Sequence, residues 1–203
     1  MKKSQSKTPG SWPLPQLDWR PIIVALAGPN GAGKSTFFEA HLKASGLRFL
    51  NADVLAGELG IDAYQAAGIS ARLRQELLKL KESFVFETVL SDPVGDKLAF
   101  LGQAAQEGYA VVLCFIGIAD AGRSEERVAM RVSQGGHDVP TNKLIARFPR
   151  TMTNLKKAIR QLPCVVVFDN DDLRTPFRLL ALFQNGVPHF LAQSVPDWLQ
   201  SSL

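Results

Sequence analysis

From residue 21 onward, short and largely uncharged apolar runs alternate with stretches whose apolar residues recur every three to four positions. The runs predict strands at Ile22–Ala27, Arg48–Asn51, Ser83–Thr88, Ala110–Gly117 and Cys164–Asp169. The periodic stretches predict helices at Lys34–Ala44, about Ala63–Glu82, Asp96–Glu107, Glu125–Val132 and Asn142–Gln161, with a last helical pattern from Pro176 to Gln184. Strands apolar along their whole length are covered on both faces. Their alternation with helices predicts an α/β fold: a five-stranded parallel sheet with flanking helices. In such folds ligands gather beyond the carboxyl ends of the strands. The polar segments Gly28–Ser35, Asp53, Glu87–Thr88 and Asp169–Asp172 each follow a predicted strand, so one rim of the sheet collects them.

Composition narrows the class. The 203 residues suit a single domain, and 46% hydrophobic with 21% charged residues excludes collagen, coiled coil and wholesale disorder. The longest apolar run, Tyr109–Ala119, falls short of the roughly 18–20 residues of a membrane span. Residues 1–20 are polar, broken by Pro9, Pro13 and Pro15, and read as a flexible arm without the apolar core of a secretory signal. Residues 21–203 then form the domain. Cys114 and Cys164 sit inside apolar runs as small buried hydrophobes, which fits a reducing, cytoplasmic compartment. The net charge of +4 permits an anionic partner without requiring one.

The sharpest signal is Gly28-Pro29-Asn30-Gly31-Ala32-Gly33-Lys34-Ser35, a complete G-x-x-x-x-G-K-[ST] phosphate loop followed by Thr36. Glycines let the backbone wrap closely and turn its N–H groups toward a phosphate chain. Lys34 then reaches the β- and γ-phosphates, Ser35 holds Mg2+, and the following helix aims its positive end at the anion. An apolar strand before the loop and an amphipathic helix after it supply the required context, so this is a nucleoside triphosphate site of the P-loop NTPase or kinase type.

Phosphoryl transfer to a hydroxyl also needs an acceptor for the hydroxyl proton and a second metal-side oxygen. Asp53 and Glu87, at the ends of the second and third strands, supply both. Asp53 has an alternative reading as a helix N-cap, and Asp169, which also follows an apolar run, competes with Glu87 as the metal-side acid. Asp169-Asn170-Asp171-Asp172 reads equally as a turn cluster or a nucleotide contact.

Between Arg123 and Arg160 nine Lys or Arg residues face only Glu125, Glu126 and Asp138. Arg123, Arg127 and Arg131 share one helix face, and Lys143, Arg147 and Arg150 another. Arg127 and Arg131 have no acidic residue one turn away, so an anion from outside their helix compensates them. Gly135-Gly136-His137-Asp138-Val139-Pro140 joins the two helices. The pattern is that of a helical lid over phosphates, spanning about 120–161. A nucleic-acid groove is disfavoured, because Phe148 alone interleaves an aromatic ring with these cations.

Taken in order, the phosphate loop, Asn51-Ala52-Asp53, Phe86-Glu87-Thr88, the Gly-Gly-His-x-Val-Pro segment and Arg147-Phe148-Pro149-Arg150 resemble the zeta-toxin-like family of P-loop kinases. The resemblance covers roughly residues 21–170, and Val195–Leu199 fits it too. It implies Mg2+-dependent transfer of phosphate from ATP to a hydroxyl of a small molecule, UDP-N-acetylglucosamine in characterised toxins. It assigns Lys34 and Ser35 to the triphosphate and metal, and Asp53 to the proton. Glu87, Thr88 and His137 become candidates for the acceptor side, and Arg127, Arg131 and Arg147 candidates for the lid arginines. Two other classes stay open: a nucleotide-dependent binding module held by an antitoxin-like protein, and a polynucleotide kinase.

Overall fold

The computed structural model describes residues 15–136 and 138–202. Seven strands, β1 (Ile22–Ala27), β2 (Arg48–Leu50), β3 (Phe84–Thr88), β4 (Ala110–Gly117), β5 (Cys164–Asp169), β6 (Arg178–Gln184) and β7 (Val187–Leu191), form one sheet among the described residues, in the order β2-β3-β1-β4-β5-β6-β7. The first five are parallel, β6 runs antiparallel to β5, and β7 antiparallel to β6. The helices are α1 (Lys34–Phe37), α2 (Ala52–Leu59), α3 (Ala63–Lys79), α4 (Asp96–Gln106), α5 (Ala121–Ser133), α6 (Thr141–Gln161) and α7 (Asp197–Gln200). Among the described residues no helix is long and apolar enough to cross a membrane.

Both faces of the sheet are covered. Ile23, Ala25, Phe84, Phe86, Leu113, Phe115, Val165 and Val167 enter one buried cluster, with Leu101, Leu155 and Trp198 packed on them. Their neighbours along the strands, among them Ile22, Val24, Leu26, Val85, Val112, Cys114 and Val166, enter a second cluster against Phe37, Phe38 and Leu42. Each strand therefore points alternate residues into two dry interiors, which is why it reads as unbroken apolar sequence. Both thiols are buried and free. Desolvation drives the Cys114 pKa well up and pushes that of Cys164 up to about 11, so neither is a reactive thiolate.

Three expectations need correction. The five parallel strands are part of a mixed seven-stranded sheet, because the segment read as a helix from Pro176 is strand β6 paired with β7. Leu179-Leu180-Ala181-Leu182-Phe183 is apolar at every position, so its periodicity cannot separate helix from strand. The deciding local signal is Asn185-Gly186, whose φ values of 48° and 79° match the two left-handed positions of a type I′ hairpin turn. The helix expected over Lys34–Ala44 is a short α1 continued by a π-helical turn, Phe38–Leu42, and a 3₁₀ turn, Lys43–Ser45. The helix that an N-cap at Asp53 implies is α2, although no apolar periodicity marks its bounds. Residues 1–14 of the expected arm lie outside the described residues; Pro15–Asp18 forms a 3₁₀ turn with Leu17 packed on the second cluster.

Helix α6 serves two regions. Its amino-terminal half belongs to the basic pair. Its carboxyl-terminal half is pinned to the chain after β3, where Thr151 Oγ1 donates to Val89 O (2.9 Å) and Asn154 Nδ2 donates to Leu90 O and Asp92 O (2.9 Å each). Pro149 lies between the halves. At the end of β4, a Cβ on Gly117 would come within 2.1 Å of the Trp198 indole. Gly117→Ala is expected to cost about 1–3 kcal/mol in urea unfolding through this overlap. Trp198→Ala in the same chain should remove most of the added cost, and strict additivity of the two changes would contradict the packing account.

Candidate functional site

Parallel register sets the site. Leu26 pairs with Glu87 and Ala27 with Thr88 and Phe115, so the loop leaving β1 emerges between the ends of β3 and β4. Gly28 has φ of 145°, and a Cβ there would meet Ile116 O at 2.1 Å; only glycine lets the loop leave this close to β4. The chain then wraps around its own lysine. Lys34 is 6% exposed, and its Nζ donates to Gly28 O (3.0 Å) and Pro29 O (2.9 Å), with Glu87 Oε1 at 3.6 Å. Burial dominates and lowers its pKa, while the charges of Glu87 and Asp53 work the other way.

Glu87 gathers the neighbouring groups. Its Oε2 accepts from Ser35 Oγ (2.8 Å) and Asn51 Nδ2 (2.9 Å). Asn51 Oδ1 in turn accepts from the backbone N–H groups of Asp53 (2.8 Å) and Val54 (3.3 Å), so Asn51, not Asp53, caps α2. Asp53 is thereby left with an exposed side chain in the first turn. Asp169 lies elsewhere: it pairs with Arg178 at 3.1 Å, and Glu87 is the acid beside Ser35. Thr88 Oγ1 accepts from Leu90 N (3.0 Å) and turns the chain into the next segment.

Two cavities open on the loop. The first, of about 380 Å³, has walls from Asn30, Asp53, Glu87, Thr88, Ser91 and Asp92, from Ser70 and Arg74 of α3, from Lys97 of α4, and from Asp138, Lys143 and Arg147 of the basic pair. The second, of about 360 Å³, is walled by Gly31, Gly33, Thr36, Arg123, Arg127, Asn170, Asp171, Leu173 and Phe177. Asn170 is a working part of that wall: its Nδ2 donates to Ala32 O (2.9 Å) and its Oδ1 accepts from Phe177 N (3.3 Å), which ties β5 to the phosphate loop. Helix α5 packs onto the loop as well, with Ser124 Oγ donating to Asn30 O at 2.7 Å.

The three candidate lid arginines are spread out. Arg127 borders the second cavity, and its guanidinium donates to Asp171 O at 2.9 Å. Arg123 pairs with the Asp171 carboxylate at 3.3 Å, so part of the anion expected from outside α5 is the chain's own turn after β5. The charge of Arg131 is felt at Lys34, where it helps lower the ammonium pKa. Arg147 borders the first cavity. Lys143 Nζ lies 5.5 Å from the Tyr64 ring centroid, and Thr141 Oγ1 donates to Glu125 (2.7 Å), joining α6 to α3 and α5. His137 lies outside the described residues. Arg74, Asp92 and Lys97 were missed from the sequence and carry no local signal there. Asn51 and Asn170 stand in segments the sequence singled out, but the cap and the tie to the phosphate loop that they make were not read from it.

A buried ammonium whose pKa falls below its unfolded value binds fewer protons folded than unfolded. It therefore subtracts stability below the folded pKa and stops doing so as pH rises toward 10.5. Lys34→Met, which keeps the length and removes the charge, is expected to melt at or above wild type at pH 7, with the gap closing by pH 10. A variant that melts lower at pH 7 would mean that Glu87 and the loop carbonyls outweigh desolvation.

No curated protein matches this sequence. Among solved structures, a chain of the AvrRxo1-ORF1:-ORF2 complex with ATP superposes with a TM-score of 0.66 at 18% identity, over 91% of this chain and 63% of that one. This chain thus spans under two thirds of that relative. The PezAT toxin–antitoxin system of Streptococcus pneumoniae gives 0.59 at 17%, over 90% and 84%. A putative kinase from Chloroflexus aurantiacus gives 0.54 at 17%, over 77% and 92%. These likenesses concern the fold alone, and with the strand order and the family match they make it P-loop NTPase-like α/β with a mixed seven-stranded sheet among the described residues. Because the AAA domain family matches residues 23–157, two thirds of the chain and its whole phosphate-loop region, the protein belongs to that family.

Proposed function

We propose that this protein is a small-molecule kinase that transfers the γ-phosphoryl group of ATP to a hydroxyl. One observation carries the reading: a cavity of metabolite size shares its wall between the phosphate loop, through Asn30, and two carboxylates, Asp53 and Glu87. A triphosphate held by the Gly28–Ser35 amides would present its end to that cavity, and the second cavity, beside Thr36, Asn170 and Phe177, would take the nucleoside.

In the step, the acceptor oxygen bonds to the γ-phosphorus as the bond from phosphorus to the β–γ bridging oxygen breaks. The hydroxyl proton passes to Asp53, and ADP leaves. Lys34 and Arg131 meet charge on the phosphates, Arg127 from the nucleoside side and Arg147 from the acceptor side. Ser35 and Glu87 offer a hydroxyl and a carboxylate oxygen 2.8 Å apart, a hard-oxygen pair suited to Mg2+. Bound there, Mg2+ would neutralise phosphate charge. On this reading residues 21–203 act as one kinase domain, with a lid at about 120–161 and Thr88 and His137 on the acceptor side. The family resemblance names a UDP-amino sugar such as UDP-N-acetylglucosamine as one acceptor, in a reducing cytoplasm.

A second reading, a nucleotide-dependent module held by an antitoxin-like partner, draws support from two of the similar structures being complexes. A panel of hydroxylated metabolites incubated with γ-labelled ATP separates the two, since a binding module labels none. Asp53→Asn is expected to slow transfer by roughly a hundredfold or more while ATP affinity stays within about twofold. Unchanged transfer in that variant would remove Asp53 from the chemistry.

A further inference from the structure

The first cavity holds two charged groups that the transfer step does not use and that do not neutralise each other. Arg74, on α3, donates to Ser70 Oγ at 3.0 Å, and its guanidinium lies 5.0 Å from the Phe86 ring centroid and 5.9 Å from that of Phe100. No carboxylate pairs with it among the described residues, and desolvation lowers its pKa. Asp92 follows β3. Both of its carboxylate oxygens are shielded from solvent and accept no hydrogen bond among the described residues. Its backbone carbonyl is held by Asn154, so the residue stays where it is. Yet both residues wall the same cavity.

A shielded carboxylate without a donor and a guanidinium without an anion are each costly to fold. Buried polar groups of folded proteins are nearly always satisfied, so an exception on a cavity wall calls for a partner that enters the cavity. The wall as a whole is balanced, with Arg74, Lys97, Lys143 and Arg147 against Asp53, Glu87, Asp92 and Asp138; the place for an anion is marked by position, since no carboxylate pairs with Arg74 among the described residues. We infer that the acceptor is a small hydroxylated molecule carrying a carboxylate or phosphate, which Arg74 binds, and a further hydroxyl or ammonium donor, which Asp92 accepts. The inference rests on the kinase reading for the reacting hydroxyl only; recognition of the anion and of the donor stands on the cavity.

The test is a binding measurement that needs no turnover. Glucose, glucuronate and glucose 6-phosphate are titrated calorimetrically into the full chain, with and without a non-hydrolysable ATP analogue and magnesium. At least one anionic probe is expected to bind about tenfold or more tightly than glucose. The stronger of the two identifies carboxylate or phosphate as the group Arg74 prefers. Arg74→Gln should abolish that preference, and Arg74→Lys should restore part of it. Asp92→Asn should weaken binding of the same probe about tenfold. In the ligand-free protein it should raise Tm by about 2–4 °C, since the shielded carboxylate is removed. A residue of purely structural value would lose stability on that change. Glucose binding as tightly as both anions, no binding of either anion, or a fall in Tm for Asp92→Asn overturns the inference. Failure of the kinase reading appears separately, as absence of label transfer from γ-labelled ATP to any hydroxylated metabolite while the anionic probe still binds.

Discussion

A lysine ammonium enclosed by the carbonyls of its own loop is the constraint on which the rest of this structure depends. An isolated buried ammonium is prohibitively costly, so Lys34 persists only because Gly28 O and Pro29 O accept from it and Glu87 stands 3.6 Å away. Glu87 in turn needs its own donors, which Ser35 and Asn51 provide, and Asn51 spends its other amide atom on the start of α2. The chain of obligations thus runs from the end of β1 to α2 through hydrogen bonds and one ion pair of 3.6 Å.

The same logic distinguishes the two cavities. In the second cavity, proposed for the nucleoside, the polar groups are settled: Asn170 bridges Ala32 and Phe177, and Asp171 receives both Arg123 and Arg127. In the first cavity the Asp92 carboxylate accepts no hydrogen bond among the described residues, and Arg74 meets Ser70 and two phenyl rings but no carboxylate. A site that binds one fixed partner and a site that must discriminate among acceptors differ in this way, because unsatisfied groups reject molecules that fail to satisfy them.

What was legible in the sequence was contiguous. The loop Gly28–Ser35 is a single run of residues whose chemistry needs no tertiary information, and β1, β3, β4 and β5 declare themselves as dry runs because both their faces are covered. The end of β3 could be read too, since an acid closing such a run stands out. Strands β6 and β7 were illegible because Leu179–Phe183 is apolar all round, and the turn that decides the matter is only two residues long. Asn51 was hidden behind the more conspicuous Asp53. Arg74 and Asp92 could not be seen at all: nothing in either neighbourhood says that α3 and the chain after β3 wall one cavity.

Helix α6 has a mechanical consequence. The proline cancels one rung of its ladder, and Thr151 and Thr153 bend their hydroxyls back onto the carbonyls of Arg147 and Pro149. The rod is therefore weakest at the point where its cationic tip gives way to its anchored shaft. A bend there would carry Lys143 and Arg147 with it and leave Thr151 and Asn154 on Val89, Leu90 and Asp92. On the proposed reading the tip would be the jaw of the lid and the shaft its fixed mount, so the floor of the first cavity would keep its shape as the jaw turns.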